Sequence, residues 1–324
     1  MSLTDKASEI LVRVADECGR SNAVLRCDRD TCVAGTALAD GPWGVALSFA
    51  ESARAHTDRS LRDFAKRLAD VPGRNAARGI FAGSQGRLAA QMAANGKQSE
   101  EITANPANST KPGDLMDGEI GEHWGRLCLG HPPFTQSLDW RRVDARSATG
   151  LAHGRLGAIA CIASSLESDE LEQLIVAHAP LDRYGWCNGS AGTAVAAHIA
   201  WAATGTRNFA EMAEKEISKS LRAIPLETDG LCHGSAGVLV VASGIARATN
   251  NSELLSVTKN MAEMCWAENN RPLRLNKGFL LDQSWLTGST GIAWALSVVE
   301  RRPLINPLCP LDSEYQMAAP ITQS

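Results

Sequence analysis

The sequence predicts an all-α protein closed into a double ring, an α/α toroid of seven inner and seven outer helices. Three observations carry that expectation. A G-x-x-G element that opens an apolar stretch recurs seven times in 324 residues. Amphipathic stretches alternate with the apolar ones, as surface helices alternate with buried ones. The composition is dominated by Ala, Gly and Leu with 5% aromatics, which suits closely packed helices better than strands, where β-branched and aromatic residues would alternate.

The motif falls at Gly41/Gly44, Gly83/Gly86, Gly118/Gly121, Gly154/Gly157, Gly189/Gly192, Gly234/Gly237 and Gly288/Gly291, with first-glycine intervals of 42, 35, 36, 35, 45 and 54 residues. One such element is uninformative, whereas seven near-regular recurrences identify a repeat architecture. Thr4 to Gly19 has charge on one face and predicts a surface helix. After Gly41 comes Val45-Ala-Leu-Ser-Phe-Ala, apolar around most of a helix and therefore an inner one. Ser60 to Val71 is the next amphipathic stretch. The third repeat is the weakest, because Gly121 is followed by Glu-His-Trp-Gly-Arg. Amphipathic stretches at Asp169 to Ala179, Arg207 to Ile224 and Ser252 to Asn269 then alternate with runs such as Thr193-Ala-Val-Ala-Ala-His-Ile-Ala and Ile292-Ala-Trp-Ala-Leu-Ser-Val-Val. A ring that closes needs no polar end caps, occupies residues 1–324 as one domain, and gathers all seven loop-to-helix junctions at one mouth. Glycine at a junction is expected to allow a turn with φ > 0 and close approach of neighbouring helices.

Lys+Arg 32 against Asp+Glu 36 leaves a formal charge of -4, which gives no footprint for nucleic acid or an anionic membrane surface. No apolar stretch approaches the roughly 18 residues that would span a bilayer, and MSLTDKASEI lacks the apolar core of an export signal. The expectation is a cytoplasmic protein. Nine cysteines in such a chain argue for reduced thiols, some metal-bound, rather than for a disulfide framework.

The residues beside the glycines differ between repeats in ways packing does not require. Repeat five reads Arg183-Tyr-Gly-Trp-Cys187-Asn-Gly and repeat six Gly230-Leu-Cys232-His233-Gly, so a cysteine stands two residues before the first glycine in both. Neighbouring repeats place Cys187, Cys232 and His233 at one rim. Two thiolates and an imidazole suit tetrahedral Zn²⁺ with the fourth position open, as in catalytic sites. The other reading of the same residues is two buried free cysteines and a capping histidine. Repeat four puts His153 at the histidine register, and Asp114 and Asp117 bring carboxylates to the rim. Cys161, in an apolar run, reads as core; Cys27 and Cys32 read as structural.

Seven G-x-x-G repeats together with W-C-x-G at Trp186 to Gly189 and C-H-G at Cys232 to Gly234 resemble the lanthionine synthetase C-like (LanC) cyclases. The resemblance runs from about Asp40 to Val299. It implies an α/α toroid, one zinc on Cys187, Cys232 and His233, and closure of thioether rings in lanthipeptides. It also implies an acid/base role for His153 in H-G-x-x-G, a supporting role for Asp114 in D-L-x-x-G, and a role for Arg183, four residues before the first zinc cysteine. Asn188 stands where many relatives carry tyrosine or histidine. The inserted domain of several bacterial relatives has no room in the early repeats.

The implied reaction adds a cysteine thiol of a dehydrated precursor peptide to dehydroalanine or dehydrobutyrine. Dehydration falls to a separate dehydratase partner, because the chain has no Gly-rich phosphate loop and too few residues outside the repeats for a kinase or lyase domain. Two other activities fit the same residues: addition of glutathione or another small thiol to dehydrated peptides, and a zinc-stabilised scaffold without turnover. A protein prenyltransferase subunit is a poor match, since its isoprenoid cavity needs more aromatic lining and its repeat signature is absent.

Overall fold

Every G-x-x-G element leads directly into a helix. The computed structural model describes residues 2–21, 38–39, 41–71, 79–81, 83–96, 115–116, 119–131, 140–142, 149–266, 273–275 and 284–314. Its α-helices are α1 (Leu3–Ser21), α2 (Pro42–His56), α3 (Arg59–Ala69), α4 (Ser84–Asn95), α5 (Glu119–Cys128), α6 (Leu156–Cys161), α7 (Ser168–His178), α8 (Ser190–Thr204), α9 (Arg207–Arg222), α10 (Ser235–Ala248), α11 (Ser252–Trp266) and α12 (Ser289–Glu300). The seven that follow motifs, α2, α4, α5, α6, α8, α10 and α12, form the inner ring. The amphipathic α1, α3, α7, α9 and α11 lie outside them. Where two more outer helices are expected, after α4 and after α5, most residues lie outside the described set.

An outer helix shows its origin plainly in α9. Its Phe209, Ala213, Ile217 and Leu221 recur at helical spacing and are buried, while the intervening charges face water. By contrast α8 buries Ser190 through Ala200 without a break, which is what a run hydrophobic around its whole circumference requires. The third repeat, weak in sequence, still yields α5, with Trp124 fully buried.

The glycines work differently from the expected φ > 0 turns. Gly41, Gly83, Gly189, Gly234 and Gly288 are N-caps in extended backbone, with φ between -107° and -169°. The constraint sits on the second glycine. A Cβ there would lie 1.7 Å from the Trp285 carbonyl oxygen at Gly291 and 2.0 Å from that of Leu38 at Gly44. In all seven repeats the blocking atom is the carbonyl of the residue three before the first glycine, so the loop lies directly on the first helical turn. Close approach of the neighbouring repeat does hold, since the Trp285 Cβ lies only 2.3 Å from where a Cβ on Gly44 would be.

So seated, the loops bond to one another in a circle. Leu38 and Ala39 donate to the Phe81 carbonyl (3.0 and 3.2 Å), Ile80 to Gly121 (3.3 Å) and Leu115 to Ala152 (3.1 Å). Leu151 and Ala152 donate to Cys187 (2.9 and 3.0 Å), Cys187 to Cys232 (3.1 Å), and Leu231 and Cys232 to Leu286 (3.0 Å each). Leu286 returns to Ala39 at 2.8 Å and closes the ring. At the helix level the closure is made by α12, which packs on both α1 and α2. No helix among the described residues is long and apolar enough to cross a membrane.

The interior is filled by the chain that follows α12. Residues Pro303 to Cys309 are buried, and Asp312, 1% exposed, meets Arg247 at 2.8 Å and Arg302 at 3.1 Å. Burial alone would raise the Asp312 carboxyl, but the two guanidinium groups outweigh it and hold it below its ordinary value. Cys128, Cys161, Cys187, Cys232, Cys265 and Cys309 are buried and form no disulfide. Cys161 is core as expected, its thiol pushed up by burial. Cys27 and Cys32 lie outside the described residues.

Two outcomes follow from this packing. Gly291→Ala must move a backbone carbonyl, not a flexible side chain, and should cost about 3 kcal/mol or more in urea denaturation, or prevent folding. His198 of α8 is fully buried, with neither ring nitrogen hydrogen-bonded. Burial pulls it down to about 4, against the opposing charge of Asp312. The folded value lies below the unfolded one, so its stabilisation is complete above pH about 6.5 and is lost as pH falls towards 4, by at most about 3 kcal/mol. Denaturation curves across that window should flatten in His198→Leu; equal slopes for both proteins would contradict the assignment.

Candidate metal centre

Cys187 and Cys232 occupy the same register in adjacent loops, and the bond from the Cys187 N–H to the Cys232 carbonyl sets the two residues side by side. His233, the next residue, turns its ring back between them. Its Nε2 lies 2.9 Å from Cys187 Sγ and 3.9 Å from Cys232 Sγ. The three ligand atoms all lie within 4.8 Å of one another, the only such group of histidine, cysteine and carboxylate side chains among the described residues. Both cysteines are buried and His233 is exposed. The approach of the loops depends on Gly185, where a Cβ would stand 2.9 Å from the His233 Cα.

Each loop is tied down from behind. Ser190 N–H donates to the Arg183 carbonyl at 2.9 Å, and the Ser220 hydroxyl on α9 donates to that of Tyr184 at 2.9 Å. In repeat six the buried Asp229 clamps Arg274, accepting from its backbone N–H and its guanidinium at 2.8 Å each. The Asp229 N–H donates back to the Arg274 carbonyl at 2.8 Å.

The two thiols behave as one pair that gives up a first proton easily. A hydrogen bond from Cys232 outweighs burial and, with His233, brings Cys187 down to about 5. That same bond and burial push Cys232 up. The hydrogen bond to Cys187 raises His233, against burial and the like charges of His153 and Arg183. Two sulfurs and one imidazole nitrogen, with the imidazole facing solvent, fit a tetrahedral zinc ion that keeps one position open.

His153, half-buried, sits in the loop whose Leu151 and Ala152 bond to the Cys187 carbonyl, and its charge is felt by both Cys187 and His233. Arg183 is exposed on a cleft of about 440 Å³ that it shares with Tyr184, Lys219 and Arg222. Asp114 lies outside the described residues; the next residue, Leu115, donates to the Ala152 carbonyl beside His153. Asn188 is half-buried, its Oδ1 without a partner. Sequence reasoning did not find the anchors Asp229 and Arg274, because a single acid-base pair 45 residues apart leaves no periodic trace. It read Trp186 only as part of a motif, although a tryptophan recurs at that register in Trp285.

Residues 167–302 match the family model described as lanthionine synthetase C-like protein. The chain shares its fold with nisin cyclase, at a TM-score of 0.61 and 14% sequence identity, over 94% of this chain and 97% of that one. No curated protein sequence gives a significant match.

The donor set makes a direct demand on metal content. Elemental analysis of the purified protein should find about one zinc per chain and close to none in Cys232→Ala. Substitution with cobalt(II) should give the thiolate charge-transfer absorption of a tetrahedral site. Wild type without zinc, or a full complement in Cys232→Ala, would remove the metal reading.

Proposed function

We propose, for a chain that is lanthionine synthetase C-like in sequence over residues 167–302 and in fold around the whole ring, that it is a lanthipeptide cyclase. It adds cysteine thiols of a dehydrated precursor peptide to dehydroalanine or dehydrobutyrine and so forms thioether rings. The observation that carries this reading is the convergence of Cys187, Cys232 and His233 within 4.8 Å at a mouth that also holds His153.

In the reaction the S–H bond breaks and an S–Cβ bond forms. The π electrons of the dehydro residue move towards Cα, which takes up a proton, so nothing is oxidised or reduced. Cys187, Cys232 and His233 hold the zinc ion, which when bound supplies the acidity that keeps a substrate thiol deprotonated near neutral pH. His153 serves as general base for the thiol proton and general acid at Cα, a role worth about 10²–10⁴-fold. Arg183 offers its guanidinium to the carbonyl oxygen on which charge builds, and Asp114 orients His153. A separate dehydratase supplies the electrophile, because none of these groups activates a serine or threonine hydroxyl for loss. The cytoplasm keeps the ligand thiols reduced.

The test is mass spectrometry of a dehydrated peptide before and after incubation, with thiol alkylation to count unreacted cysteines. Alkylatable thiols should disappear with no change in peptide mass, and His153→Asn should slow their loss by about 10²-fold or more while retaining its zinc. A mass increase when glutathione is present would show small-thiol addition instead; unchanged thiols would leave only a scaffold. Undehydrated precursor should remain unaltered.

A further inference from the structure

The chain beyond α12 does more than fill space. Leu304 N–H donates to Glu51 Oε1 in the second half of α2 at 2.7 Å, and Asp312 is held by Arg247 in the last turn of α10. Both ends of the segment are therefore fixed far from the mouth. Its tip reaches the other way, with the Pro307 carbonyl accepting from Trp124 Nε1 at 2.8 Å and the Leu308 carbonyl from Trp186 Nε1 at 2.9 Å. Asn306 shapes that tip, its Oδ1 accepting from the Leu308 and Cys309 N–H groups at 3.2 and 3.0 Å and its amide donating to Asp312 at 3.3 Å.

Trp186 is the residue before the first metal-site cysteine. Its indole N–H is bound to Leu308, its ring packs against Phe81 with centroids 5.4 Å apart, and its carbonyl seats on Gly192. With three sides of Trp186 fixed, the direction in which Cys187 leaves the backbone is fixed as well. We propose that residues 303–313 form a packed floor beneath the mouth, and that the Trp186–Leu308 bond makes Trp186 a positioning residue for Cys187. This rests on the metal reading of Cys187, Cys232 and His233.

Trp124 supplies the comparison. It is equally buried and makes the same kind of bond to the adjacent carbonyl, but no residue of the metal group adjoins it in sequence. Partners that orient metal ligands typically contribute 10–100-fold to affinity. Zinc dissociation constants from chelator competition should rise about tenfold or more in Trp186→Phe and stay within about twofold of wild type in Trp124→Phe, although both lose thermal stability. The cobalt(II) spectrum should shift only in Trp186→Phe. Leu308→Ala, which keeps the carbonyl but loosens the tip, should weaken zinc binding by threefold or more and serves in place of Trp186→Phe should that variant not fold. Wild-type affinity in folded Trp186→Phe or Leu308→Ala, or an equal loss in Trp124→Phe, would overturn the proposal while leaving the metal site standing. Wild type without zinc would overturn both.

Discussion

The seating of a loop carbonyl on the first turn of each inner helix is the contact on which the rest of the molecule depends. It occurs seven times, at the carbonyls of Leu38, Ile80, Leu115, Leu151, Trp186, Leu231 and Trp285, and in each case only a missing Cβ makes room. With the loop pressed to the helix, its backbone N–H groups face the next repeat, where they find carbonyls at hydrogen-bonding distance around the full circle. Buried backbone polar groups are thereby paired without a strand or a water chain. The circle also fixes where side chains go: residues three before the first glycine point into the core, where all seven are fully buried, and one or two places further along stand His153, Cys187, Cys232 and His233.

The Cys187–Cys232–His233 group is a local consequence of that circle. Identical register in neighbouring repeats brings two cysteines side by side, and a histidine one residue further along completes the set. Each cysteine also lies three residues before a helix start, Ser190 in α8 and Ser235 in α10. Helix N-termini carry partial positive charge, and the inner helices aim theirs at the same mouth. The field there favours a thiolate over a thiol and an anionic ligand over a neutral one. That preference agrees with the ready loss of the first proton from the Cys187–Cys232 pair and suits chemistry in which sulfur must attack as an anion.

How much of this could be read beforehand depended on whether a feature repeats. The inner helices and five outer ones follow from period and amphipathicity, with α9 and α11 starting where the charge pattern starts. The convergence of Cys187, Cys232 and His233 followed from register, because a repeat protein converts register into position. The glycine mechanism is only half legible, since G-x-x-G spells a need for small residues without saying whether φ or space is the reason. Nothing periodic marks the segment after Val299, whose burial comes from Asp312 and Asn306 finding partners on α10 and within the segment itself. His198 lies in an apolar run in which one polar residue does not disturb the pattern, so its unpartnered ring nitrogens were invisible until the packing was known.

The two ends of the ring are built on opposite principles, and the difference bears on chemistry. At the far end a buried carboxylate is satisfied by Arg247, Arg302 and Asn306 together. Such clusters add little net stability, because desolvation offsets the attraction, but their directional bonds admit one path for the chain. Asn306 transmits that path to the tip, since the same side chain bonds Asp312 on one side and the Leu308 and Cys309 amides on the other. At the mouth the polar groups are left partly open instead, with His233 and Arg183 exposed and His153 half-buried. On the proposed reading, that exposure is what a mouth admitting a peptide needs, and it leaves these side chains with little packing of their own. Rigidity has to reach it from elsewhere, and in this chain it arrives from below, through a loop tip held by charges on the far side of the ring.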